Sequence, residues 1–260
     1  MAASGIRPTN AIQIPAAPVV GSSSPRSPKL QEMIDKLKNN SLEILELSFK
    51  KIGIEDAKAI AEALIDNTTL REIKMTQNLI GVEEVKVLAP ALAKIASLHK
   101  LDLSNNCISN QGAIELANAL KDNKTLQILN LGENHIECEG AKAFAELLTN
   151  NSSLQELYLH GNEIQDQGAI DLAKALVNNR ALRLMCLWRN HIKLDGAKAL
   201  AIAIALSDGL QVLNLTGNKF KDPSIEAEIQ ATLTRNKQLA SQKQTSLYHL
   251  LLPLLQDVVT

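Results

Sequence analysis

Seven leucines, Leu42, Leu70, Leu98, Leu126, Leu154, Leu182 and Leu210, stand 28 residues apart, and each opens a near copy of one stretch. A fixed period of that size restricts a chain to a solenoid, in which equivalent residues of successive copies become spatial neighbours. In the copy beginning at Leu154, the first half carries Leu157, Leu159, Asn162 and Ile164. Leu157 and Leu159 alternate with Tyr158 and His160, the period-two pattern of a half-buried strand. The second half carries Gly168, Ala169, Leu172, Ala173, Ala175, Leu176 and Asn179. Apolar residues there recur three and four apart, which is a helix with one buried face. A strand and a helix this short cannot bury their apolar faces alone, so stacked copies must share one continuous core.

Two columns set the turns. Asn78, Asn106, Asn134, Asn162, Asn190 and Asn218 occupy the strand exit. A buried amide must be hydrogen-bonded, so this column is expected to be a ladder joined to backbone groups of neighbouring copies. Gly112, Gly140, Gly168 and Gly196 precede each helix, where they suit a sharp turn and a close pass of one copy by the next.

The motifs L-x-x-L-x-L-x-x-N-x-I and G-A-x-x-L-A-x-A-L resemble those of leucine-rich-repeat proteins, from Leu42 to about Lys237. The 28-residue period resembles the ribonuclease-inhibitor-like subclass, which also occurs in NOD-like receptors and in GTPase-activating proteins for Ran. The resemblance implies an α/β solenoid, a right-handed horseshoe with parallel strands on the concave face and helices on the convex face. It also implies use as a protein-binding module, or regulation of a small GTPase or other signalling enzyme.

Composition narrows the function. The net charge is −1, which disfavours nucleic-acid binding through phosphate neutralisation. Cys107, Cys138 and Cys186 are scattered over different copies without a C-x-x-C pair, so free thiols and a reducing, cytoplasmic compartment are expected. No run of about 18 apolar residues offers a membrane span. Phosphate-binding glycine loops, H-E-x-x-H and nucleophile elbows are missing, so no catalytic residue and no cofactor is assigned.

Residues 1–28 differ from the rest. They hold Pro8, Pro15, Pro18, Pro25 and Pro28, the run Ser22–Ser24 and no acidic residue, which predicts a disordered tail. Serine-rich, acid-poor leaders also resemble uncleaved export signals of bacterial secretion systems, so a secreted effector acting on a host protein is a further reading. Residues 29–260 are expected to form a single repeat domain: a cap helix at 29–41, seven repeats at 42–237 and a C-terminal cap at 238–260. Copy one has Lys50 in place of the ladder asparagine and Asp56 in place of glycine. Copy two has Glu84 at the glycine and Pro90 inside its helix, which predicts a kink or a late start. In copy seven Pro223, Ser224 and Ile225 replace the glycine motif, and a separate cap helix is expected around Ser246–Leu252.

The outward positions hold the candidate site. Aromatic residues make up 2% of the chain, yet Tyr158, Trp188 and Phe49 fall at places five, seven and eight of their copies, all expected to point outward from the strands. Tyr158, His160, Trp188 and Arg189 cluster in copies five and six, with Arg183, Glu133, His135 and His191 as a polar surround. Tryptophan, tyrosine and arginine dominate protein–protein hot spots, and folding alone does not ask for an outward aromatic here. Cys107, His135, Glu163 and His191 form a column of potential metal ligands, read as a solvated rim rather than a metal site. The expected function is therefore non-enzymatic binding of another protein on the concave face, by a monomer serving as scaffold, receptor or inhibitor.

Overall fold

The computed structural model describes residues 26–256, with side chains as far as residue 242. The tail expected over 1–28 lies outside the described residues apart from its last three. Of these, Arg26 reaches Asp56 at 2.9 Å, and Ser27 caps the first helix by accepting from Leu30 N at 3.3 Å.

The elements are α1 (Pro28–Lys38), β1 (Ile44–Glu46), α2 (Ile54–Leu64), β2 (Glu72–Lys74), α3 (Val82–Leu92), β3 (Lys100–Asp102), α4 (Ser109–Ala119), β4 (Ile128–Asn130), α5 (Cys138–Asn150), β5 (Glu156–Tyr158), α6 (Gln165–Leu176), β6 (Leu184–Cys186), α7 (Leu194–Leu206), β7 (Val212–Asn214) and α8 (Pro223–Gln256). The strands form one seven-stranded parallel sheet in sequence order. Leu101 pairs with Leu129 and Leu129 with Leu157, so the 28-residue register of the sequence is the register of the sheet. Strands lie about 4.8 Å apart and packed helices about 8–10 Å, so a stack with the sheet on one side and helices on the other bends towards the sheet.

The core lies between the two layers. Leu157, Leu159, Ile164, Ala169, Leu172 and Leu176 of copy five are all buried, and the equivalent places repeat along the molecule. Alanine at the helix contact lets neighbouring helices approach closely. The glycines of copies three to six belong to the first helical turn rather than to the turn before it. They serve close approach: a Cβ on Gly168 would stand 2.6 Å from Ile164 Cγ2 and 3.2 Å from Cys138 Cα.

The asparagine column is a ladder. Asn162 donates to Leu131 O at 3.0 Å and Leu159 O at 2.9 Å, and its Oδ1 accepts from Asn134 N at 2.9 Å and Ile136 N at 3.0 Å. A second column stands at the other end of the strands. Asn67, Asn123, Asn151 and Asn179 each accept from the two backbone N–H groups that open the next copy and donate to a carbonyl of the previous one. β2, β4, β5 and β6 are thus tied at both ends across copies by buried amides.

From copy three to copy six the copies alternate in how they enter their helices. Lys51, Leu79, His135 and His191 are left-handed at place ten, whereas copies three and five have the left-handed residue at place twelve, Ser109 and Gln165, and their helices start there. Asn110 Oδ1 then accepts from Glu137 N at 2.8 Å and Gly140 N at 3.1 Å, and Asp166 Oδ1 from Lys193 N at 2.7 Å and Gly196 N at 3.0 Å. Copies three and five thereby supply the N-terminal caps for the helices of copies four and six.

Two expectations change. The helix of copy two starts at the usual place and runs through Pro90, which falls in its last turn, where α3 ends two residues later. At its start Glu84 Oε2 accepts from Gly81 N at 3.0 Å, a cap made within the copy. At the C-terminus no separate cap helix forms around Ser246–Leu252; α8 runs on as one helix of 34 residues, because no glycine or proline interrupts it between Ser224 and Pro253.

Candidate protein-binding face

The strands are only three residues long, so places seven and eight of each copy belong to the turn that follows. Place eight is left-handed in all seven copies, including Phe49 (φ 61), Glu133 (φ 56), Arg189 (φ 53) and Gly217 (φ 73). His160, Trp188 and Arg189 therefore stand on the turns that follow the strands, whereas Tyr158 is the last residue of β5 itself. Phe49 is 68% exposed but lies in copy one, far from the copy-six cluster.

Polar side chains on the sheet surface of copies two to four pair with one another. Glu72 Oε1 is buried with Lys100 Nζ at 2.9 Å and Lys74 Nζ at 3.5 Å, ion pairs that leave it without an aligned hydrogen bond. The close approach of Lys100, helped by the charge of Lys74 against the cost of burial, holds the Glu72 carboxyl below its usual range. Asp102 accepts from Ser104 Oγ at 2.6 Å and from Asn130 Nδ2 at 3.1 Å.

Copies five and six are different. The Arg189 guanidinium lies 5.0 Å from the centre of the Trp188 ring, and His160 and Trp188 have ring centroids 6.0 Å apart at 39°. Among the described residues Arg189 has no carboxylate partner. Glycines make room for both rings: the His160 imidazole fills the space a side chain at Gly132 would take, and Trp188 Nε1 would stand 3.2 Å from a Cβ on Gly217. Both rings are half-buried as a result. Tyr158 donates to Glu156 Oε2 at 2.7 Å; burial, and then that carboxylate, push its phenol up to about 12. Burial also raises the neighbouring Cys186 thiol, which keeps it protonated and a poor nucleophile.

The surround is less concentrated. Glu133, His135, His191 and Arg183 are exposed. His135 Nδ1 faces Glu163 Oε1 at 3.8 Å on the rim, and Arg183 sits at the opposite end of its strand, donating to Gly209 O at 3.4 Å. Among the described residues no three His, Cys, Asp or Glu side chains come together as metal ligands. Cys107, Cys138 and Cys186 are free thiols, and no described helix is long and apolar enough to cross a membrane. Sequence reasoning overlooked Gly132 and Gly217 as partners of the aromatic cluster. The signal was there: glycine replaces a polar residue at place seven only in copy four, directly beside His160.

Residues 94–117, 122–145 and 150–173 match the family model for the leucine-rich repeat, three windows in step with the 28-residue period. No curated protein matches the chain in sequence. Among solved structures it is similar to Leiomodin-1 actin-binding site 2, at 16% identity over 90% of this chain and 98% of that one, with a TM-score of 0.54. It is also similar to a tropomodulin C-terminal domain from Caenorhabditis elegans, at 12% identity over 84% of this chain and 98% of that one, with a TM-score of 0.51. At these identities the likeness speaks for the fold alone. Repeat windows, sheet register and asparagine ladder agree: this chain is a leucine-rich-repeat protein.

Proposed function

We propose that the concave face of copies five and six binds another protein, with Trp188 as the central anchor and Arg189, His160 and Tyr158 around it. The observation that carries this reading is the Arg189–Trp188 stack without a carboxylate partner. A guanidinium held over an aromatic face is oriented in advance, and its unused donors await an acceptor from outside. The supporting turns are rigid and the rings half-buried, so little side-chain entropy remains to be lost on binding. On the sheet surface of copies three and four, Asp102, Ser104 and Asn130 are already occupied with one another. The chain acts as a binding module without chemistry of its own, in the reducing, cytoplasmic setting that three free thiols suit. A regulator of a small GTPase would use the same face, and stimulation of GTP hydrolysis by the purified chain would identify that form.

The test is Trp188→Ala. The ring is only half-buried, so folding stability changes by less than about 1 kcal/mol, while affinity for a partner retained by the wild type falls by about 2 kcal/mol or more, roughly 30-fold. Equal retention by both proteins would overturn the assignment.

A further inference from the structure

The two ends of the solenoid are unequal. At the first end α1 packs against α2 as a cap, and β1 is flanked by charge, with Glu43, Glu46, Lys50 and Lys51 around it. At the last end the first half of α8 is the helix of copy seven itself, holding the stack through Asn236 and Arg235, and among the described residues no further strand follows β7 in the sheet. The core is slightly less closed there. Leu213 and Leu215 are 5% and 9% exposed, whereas Leu157 and Leu159 are at 0%. A cleft of 590 Å³ borders them, lined also by Phe220 and Ile229.

The backbone of β7 is half-used. Leu187 N donates to Asn214 O at 2.9 Å, Arg189 N to Thr216 O at 3.0 Å, and Val212 N to Arg183 O at 3.0 Å, so residues 212, 214 and 216 face β6. By the alternation of a strand, Leu213, Leu215 and Gly217 aim their N–H groups at the open side. Proteins guard such edges with charge, proline or cover. The stretch from Gln211 to Gly217, QVLNLTG, has no charge and no proline.

We propose that this end is a self-association surface: two copies pair through β7 edges, antiparallel about a two-fold axis at Asn214. Residues 213 and 215 then exchange hydrogen bonds across the axis, each meeting its counterpart's complementary group, which is the condition for an isologous contact. The sheet becomes continuous through both copies, and Leu213, Leu215, Phe220 and Ile229 of each copy cover those of the other. A second copy is the occupant because the strand is self-complementary and uncharged, and charge at the axis would be set against itself. The pairing departs from the monomer expected from the sequence. It also sets two Trp188 groups on one continuous face, separated by three strand spacings and about four residues of offset, on the order of 20 Å.

Sedimentation equilibrium of the full chain from nanomolar to high micromolar concentration tests this. The expected result is a concentration-dependent rise from 28.2 kDa to twice that mass and no further. Asn214→Lys places two ammonium groups at the axis and weakens association at least about tenfold, with circular dichroism unchanged; Ile44→Lys on the guarded β1 edge leaves it unaltered. A mass of 28.2 kDa at every concentration overturns the proposal. So do species beyond the dimer, association indifferent to Asn214→Lys, or slow hydrogen exchange of the Leu213 and Leu215 amides in a monomer, which would mean that the chain covers its own edge.

Discussion

Replacing Asn162 by alanine tests the ladder at one of its two most connected rungs. The side chain is 2% exposed, so water does not take its place freely. Its loss strands the N–H groups of Asn134 and Ile136, which it accepts at 2.9 and 3.0 Å, and removes a donor from Leu131 O and Leu159 O. Each orphaned buried N–H costs about 1–3 kcal/mol. The carbonyls lose less, since Leu159 O keeps the Asn190 amide at 2.8 Å. The sum is about 4 kcal/mol, close to a thousandfold in the folding equilibrium. Urea unfolding followed by circular dichroism, wild type against Asn162→Ala, measures it. Asn218→Ala is the internal comparison: that rung is only half-buried and has no following copy to serve it, so its loss costs about half as much. A loss below about 1 kcal/mol at Asn162 with an unchanged denaturant slope would refute the argument, because the two N–H groups would then have found other partners.

Further outcomes follow from the same geometry. Gly132→Ala sets a methyl group against the His160 ring and destabilises the fold by about 1–3 kcal/mol, most of it recovered in the double variant with His160→Ala; thermal unfolding of the three proteins decides whether the two sites are coupled. The Glu72 carboxyl is held low by Lys100 and Lys74, so its contribution to stability is present above the ordinary glutamate range and is lost as the pH falls through its depressed value. A stability–pH curve for Glu72→Gln should be flatter than the wild type on the acid side. Tyr158 is pushed up to about 12, so its contribution is present below pH 10, the ordinary phenol value, and is lost as the pH rises towards about 12. Absorbance titration of a Tyr248→Phe variant reads this ionisation directly, and adding Glu156→Gln should move it down.

The sequence made the scaffold legible because a solenoid converts periodicity into geometry. The strand register, the leucine core and the Asn78–Asn218 column follow from one repeat distance. The second amide column at Asn67, Asn123, Asn151 and Asn179 was equally visible as letters, but its role depends on which carbonyl lies opposite, and that is a matter of three dimensions. The outward cluster was legible as residue types and not as contacts. Place seven was expected to be strand, whereas the strand stops at place five and a left-handed turn carries Arg189. The stack on Trp188 and the vacancies at Gly132 and Gly217 come from that turn. The course of α8 was misjudged because leucine-rich sequence before Pro253 signals helix without saying where that helix begins.

The handover of helix caps from copies three and five to copies four and six has a consequence for how such an array can change in length. The unit that closes on itself is a pair of 56 residues, marked by Asn-Gln-Gly-Ala and Asp-Gln-Gly-Ala in copies three and five, and by Cys-Glu-Gly-Ala and Leu-Asp-Gly-Ala in copies four and six. Excising one copy would set two like turns against each other and deprive a helix start of the side chain that completes it. Duplication or deletion in twos keeps every junction as it was, so lineages and engineers alike should find even steps tolerated and odd ones resisted.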